Sequence, residues 1–80
     1  MVDTELLERK IEQSGKKKGY LAKQCNLSRA GFRNCETNKA SFTYGQVRIL
    51  CLELNITDPV EEKAIFFVNK EPFNESNKER

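Results

Sequence analysis

The sequence predicts an all-α fold of five short helices, and three observations carry that prediction. Apolar residues recur at spacings of three and four rather than two. Four of these runs follow an Asp, Ser or Thr able to accept the first free helix amides. No stretch alternates apolar and polar residues for long enough to make a convincing strand.

Asp3 caps the first helix, whose Leu7 and Ile11 lie four apart on one face with Leu6 beside them, and Gly15 ends it. A second helix, about residues 18–25, buries Leu21, Ala22 and Cys25. Ser28 caps a third, about residues 29–37, with Phe32 and Cys35 turned inward. The fourth opens on Thr43-Tyr44-Gly45-Gln46, which pairs a hydroxyl with an amide three residues on, as a capping box does. Its apolar residues, Val47, Ile49, Leu50, Cys51, Leu52 and Leu54, run nearly all the way round and predict the central, most buried helix, with Asn55 as a left-handed cap. The fifth starts at Asp58-Pro59-Val60-Glu61, an N-cap followed by proline at the first helical position and a capping-box acid. The polar residues 69–80 read as a frayed tail, so the folded domain is expected to be residues 1–68.

Eighty residues make one domain, with 38% apolar residues and a mean hydropathy of -0.70 that leave only a modest core. No apolar run approaches the length of a membrane span, and the acidic start MVDTELLERK has no signal-peptide core. A cytoplasmic protein without membrane contact is the expectation, in a bacterial cytosol or a phage-infected cell. Cys25, Cys35 and Cys51 lack the close pairs of a zinc site, and an odd count argues against a disulfide framework. They read as reduced core residues. With no histidine, no phosphate-cradling glycine loop and no metal cluster, the sequence predicts neither an enzyme nor a cofactor or metal.

The net charge of +2 hides a sharper division. Between residues 15 and 48 stand Lys16, Lys17, Lys18, Lys23, Arg29, Arg33, Lys39 and Arg48 against Glu36 alone, while the segments on either side are acidic. A basic middle of this kind suits a polyanion partner better than the total charge suggests.

Within that middle, LAKQCNLSRAGFRNCE has the parts of two helices crossing at a tight turn. Ala22 is small where the backbones approach, Asn26 tolerates a left-handed backbone at the turn, and Leu21, Cys25, Leu27, Phe32 and Cys35 anchor both helices. The outer face of the second helix is left with Arg29, Ala30, Arg33, Asn34 and Thr37, the arrangement of a helix-turn-helix over about residues 18–37.

Residues 18–56 resemble the phage repressor and Cro type of helix-turn-helix domain, the XRE-like family. The likeness rests on Ala22, the turn at Asn26, the anchors Leu21, Leu27, Phe32 and Cys35, and Ser28 at the start of the recognition helix. Glu36-Thr37-Asn38-Lys39 is similar to the family's Glu-x-Gly-Lys exit, and TYGQVRILCLELNI to its fourth helix. Two positions depart from the pattern. Asn26 stands for the usual glycine, and Gly31 lies inside the recognition helix, either to let DNA come close or as a tolerated surface glycine.

The resemblance implies a lambda-repressor-like fold and a transcriptional regulator that occupies operator sites on double-stranded DNA. Carried over by position, Arg29, Ala30, Arg33 and Asn34 would reach base edges. Lys18, Lys23, Asn38, Lys39, Ser41 and Thr43 would hold phosphates and set register. Such proteins bind as dimers, and Ile65, Phe66, Phe67 and Val68, four consecutive apolar residues that one small core cannot all absorb, are the candidate dimer interface. The alternative on the same fold is a protein-interaction module, such as an antirepressor that binds another repressor.

Overall fold

In the computed structural model, which describes residues 1–68, the chain forms five α-helices and, among those residues, no strand. These are α1 (Thr4–Ser14), α2 (Lys18–Gln24), α3 (Arg29–Glu36), α4 (Tyr44–Glu53) and α5 (Pro59–Phe66). The tail expected at residues 69–80 lies outside the described residues.

Side-chain caps set four of the five starts. Asp3, Ser28, Thr43 and Asp58 each accept a first-turn amide, those of Leu6, Gly31, Gln46 and Val60 respectively. At Thr43 the box is complete, because the Gln46 side-chain oxygen Oε1 also accepts from the Thr43 backbone amide at 2.9 Å. Asp58 instead bonds only to Val60, so the capping-box role expected of Glu61 is not taken up. The side-chain nitrogen of Gln46 donates to the Cys25 carbonyl at 3.1 Å, fixing the start of α4 against the end of α2.

Three of the five helix ends follow one rule, with asparagine in place of glycine. Asn26, Asn38 and Asn55 sit at φ 59°, 68° and 59°, each two residues past the end of α2, α3 and α4 respectively. At each end the asparagine amide and the next amide turn back onto the helix: Asn26 to Lys23 and Leu27 to Ala22, Asn38 to Cys35 and Lys39 to Asn34, Asn55 to Leu52 and Ile56 to Cys51. This is the doubly bonded Schellman closure, which asparagine enters more readily than other residues with a side chain. Gly15 closes α1 at φ 72°.

The core collects Leu7 and Ile11 from α1, Leu21 and Ala22 from α2, Phe32 from α3, Leu50 from α4, and Ile65 and Phe66 from α5. α1 packs on α5, and α2 on both α3 and α4. Phe42, in the loop before α4, joins the two halves edge-on, with ring centres 5.6 Å from Phe32 and 6.2 Å from Phe66. Cys25, Cys35 and Cys51 are buried free thiols, and burial pushes all three up from the usual thiol range, which leaves them unreactive.

Two expectations about apolar surface are corrected. α4 is not buried all round: Val47, Leu50 and Cys51 face the core, while Leu52 is 79% exposed and Tyr44 stands out at its first turn. The segment proposed as a dimer interface is split, with Ile65 and Phe66 in the core, Phe67 exposed and Val68 half-buried. The physical reason is that helix ends where the run continues. α5 stops at Phe66, so Phe67 and Val68 leave the helix, and the Val68 amide bonds instead to the Met1 carbonyl at 3.1 Å.

The N-terminal residues are a structural strap. Val2 is buried, the Asp3 amide donates to the Ile65 carbonyl at 2.7 Å, and the side chain of Asn38 holds the Val2 backbone at both its amide (2.8 Å) and its carbonyl (3.0 Å).

Candidate functional site

α3 is amphipathic in the sense that decides what it offers. Phe32 and Cys35 point into the core, and Arg29, Ala30, Arg33 and Asn34 are all exposed on the other side. None of those four side chains makes an ion pair or side-chain hydrogen bond among the described residues. The Ser28 cap fixes the start of this face, and the Asn38 closure fixes its end. Thr37, beside it, is turned back, its hydroxyl donating to the Arg33 carbonyl at 2.8 Å.

A Cβ at Gly31 would lie 3.3 Å from the Ser28 hydroxyl oxygen and 3.6 Å from Leu27, a close approach that the Ser28 cap would have to accommodate. The Arg29 side chain lies along α2 beside Gly19, 3.4 Å from where a Cβ on that glycine would stand.

The residues expected to hold phosphates separate into two groups. Lys23, Lys39, Ser41 and Thr43 are exposed, with Lys39, Ser41 and Thr43 in or bordering the loop between α3 and α4. Asn38 and Lys18 are already engaged. Both polar atoms of the Asn38 side chain are spent on Val2. Lys18 lies between two carboxylates, 2.8 Å from Glu8 and 3.0 Å from Glu36. A lysine so paired has its positive charge offset locally and is a poor phosphate ligand.

That lysine links three helices. Glu36 is the one buried charged residue among those described, 8% exposed, and its Oε2 lies 3.0 Å from the Lys18 ammonium. The hydrogen bond from Lys18 holds the Glu8 carboxyl below the usual carboxylate range, and the same bond raises the Lys18 ammonium above its ordinary value. Sequence reasoning named Glu36 only as the lone acid of the basic middle and as part of the α3 exit, and gave neither acid a partner. Their signal was present: Glu5, Glu8 and Glu12 recur at three and four, on a face of α1 distinct from Leu7 and Ile11.

Those acids border an open groove of about 880 Å³ between α1 and α3. Glu5, Glu8, Arg9 and Glu12 line one wall, Arg29, Ala30 and Arg33 the other, with Lys18 and Glu36 between them. Lys16 is held elsewhere by the Glu53 carboxylate and carbonyl, each at 2.8 Å, and Arg48 by Glu62 at 2.7 Å. The basic character of the sequence's middle is therefore partly neutralised by the fold. The cations left there without an ion pair among the described residues are Lys17 and Lys23 at and on α2, Arg29 and Arg33 on α3, and Lys39 in the loop after it.

Among the described residues no cluster of three or more His, Cys, Asp or Glu side chains could hold a metal ion, and no helix is long and apolar enough to cross a membrane. No protein-family model, curated protein or solved structure matches the chain.

Proposed function

We propose that the chain is a sequence-specific double-stranded DNA-binding regulator, similar in action to the phage repressor and Cro proteins, with α3 as the helix that enters the major groove. One observation carries the reading: Arg29, Ala30, Arg33 and Asn34 stand exposed and unengaged on a helix whose other side is fixed in the core. Those side-chain types match base edges. Arginine suits the O6 and N7 acceptors of guanine, asparagine suits adenine, and a methyl group suits that of thymine. Lys23, Lys39, Ser41 and Thr43 supply the rim that would grip phosphates, without reading sequence. The protein acts by occupancy in the cytosol, as two copies on half-sites about one helical turn, roughly 34 Å, apart.

The test is selection from a random duplex library at near-physiological salt, run with the native chain and with Arg29→Ala and Lys39→Ala. An enriched inverted repeat is the expected result. Arg29→Ala should cost about 1–3 kcal/mol and relax the preference at one base pair, whereas Lys39→Ala should weaken all sequences alike and flatten the salt dependence. Retention that shows no enrichment and vanishes as salt rises would reduce α3 to nonspecific attraction and defeat the proposal.

A further inference from the structure

The groove between α1 and α3 carries both signs of charge: acids outnumber Arg9 on the α1 wall, Lys18 closes on Glu8 and Glu36 between the walls, and arginines stand on the α3 wall. Glu5 and Glu12 on the α1 wall make no ion pair among the described residues, and neither do Arg29 and Arg33 on the α3 wall. All four are exposed. Opposite charges lining one groove without closing to contact distance leave a gap that a third body can bridge.

Charge decides which body. Duplex DNA laid along the groove would set phosphates against Glu5 and Glu12. A polycation would meet Arg29 and Arg33. A polypeptide segment with basic side chains along one edge and acidic ones along the other satisfies both walls at once, and complementarity of that kind confers partner specificity. We propose that this groove is the docking cleft for such a segment of a second protein. Because Arg29, Ala30 and Arg33 belong to it, a filled groove excludes DNA from α3. The docking stands on the groove alone, and only the exclusion rests on the DNA-binding reading.

The test pans a phage-displayed library of random peptides on the full chain and, in parallel, on the E5K/E12K double variant. Both positions are exposed, and an unchanged melting temperature establishes that the variant is folded. The native chain should enrich peptides bearing Lys or Arg on one edge and Asp or Glu on the other. Two partly exposed pairs turned repulsive should weaken those peptides on the variant by about tenfold or more. A synthetic copy of the best peptide should displace a duplex probe from the native chain. No enrichment, or peptides that bind both proteins equally, would overturn the docking while leaving any duplex selection intact. Peptides that bind without displacing DNA would overturn the exclusion. A native dimer in sedimentation that E5K/E12K dissociates would make a second copy the occupant and overturn the choice of partner.

Discussion

Replacing Asn38 separates two things one side chain does. Its backbone holds a left-handed φ of 68° at the end of α3, and its amide makes two hydrogen bonds, of 2.8 and 3.0 Å, to the partly buried backbone of Val2. Asn38→Gly keeps the backbone and removes the bonds. At about 0.5–1.5 kcal/mol per bond, the loss should be about 2 kcal/mol. For a domain of this size that lowers the melting temperature by roughly 8–16 °C. Asn38→Ala adds the left-handed penalty of a Cβ, about 1–2 kcal/mol more. Asn26→Gly is the internal control, because Asn26 has a similar φ of 59° but its side chain makes no hydrogen bond among the described residues. Its cost should stay within about 0.5 kcal/mol. Thermal and urea unfolding of the three variants decide the matter. Equal losses for Asn38→Gly and Asn26→Gly would show that the strap adds nothing to stability and that the turn alone matters.

Ala22→Leu should overpack the buried contact of α2 and lower stability by about 1–3 kcal/mol in a denaturant titration; native stability would refute the close packing. Lys18→Met strips the nearly buried Glu36 of its cation and should cost about 2 kcal/mol, less than for a fully buried pair because Lys18 is partly exposed, and adding Glu36→Gln should restore most of it. The pH dependence follows from the same lysine. Glu8, depressed by its bond to Lys18, contributes stability above its unfolded pKa of about 4.3 that is lost as pH falls through its lower folded value. Lys18, raised by Glu8, contributes below about 10.4 and loses its share as pH rises through its higher folded value. Each limb should be under about 1 kcal/mol, since both side chains are more than a third exposed, and Lys18→Met should flatten both in melts run across pH.

The helices were legible because their signals are local. Asp3, Ser28, Thr43 and Asp58 each act within three residues of themselves, and Asn26, Asn55 and Gly15 within a few more. Apart from Glu61, whose capping-box role three residues from Asp58 is not taken up, the misreadings lie where partners are distant in the chain. Asn38 looked like a phosphate ligand because its actual partner, Val2, is 36 positions away. Lys18 looked like rim charge because Glu8 and Glu36 come from other helices. Ile65 to Val68 looked like one surface because nothing local says that α5 stops at Phe66. The face of α3 was readable in kind and position, since Ser28 fixes its start and Phe32 and Cys35 fix which side is left outside.

The strap also sets an order of events in time. Helices with caps written into their own few residues form quickly, and a fold rich in such contacts belongs with the fast folders. The bonds from Asp3 to Ile65 and from Val68 to Met1 close the longest loops among the described residues, so with the Val2–Asn38 bonds beside them they form late and open first. Amides at Val2 and Asp3 should therefore exchange with solvent ahead of those of Leu21 or Leu50. Each such opening frees only the Asn38 side chain, while α3 stays held at its start by Ser28, at its end by the backbone bonds of Asn38 and Lys39, and along its length by the burial of Phe32 and Cys35.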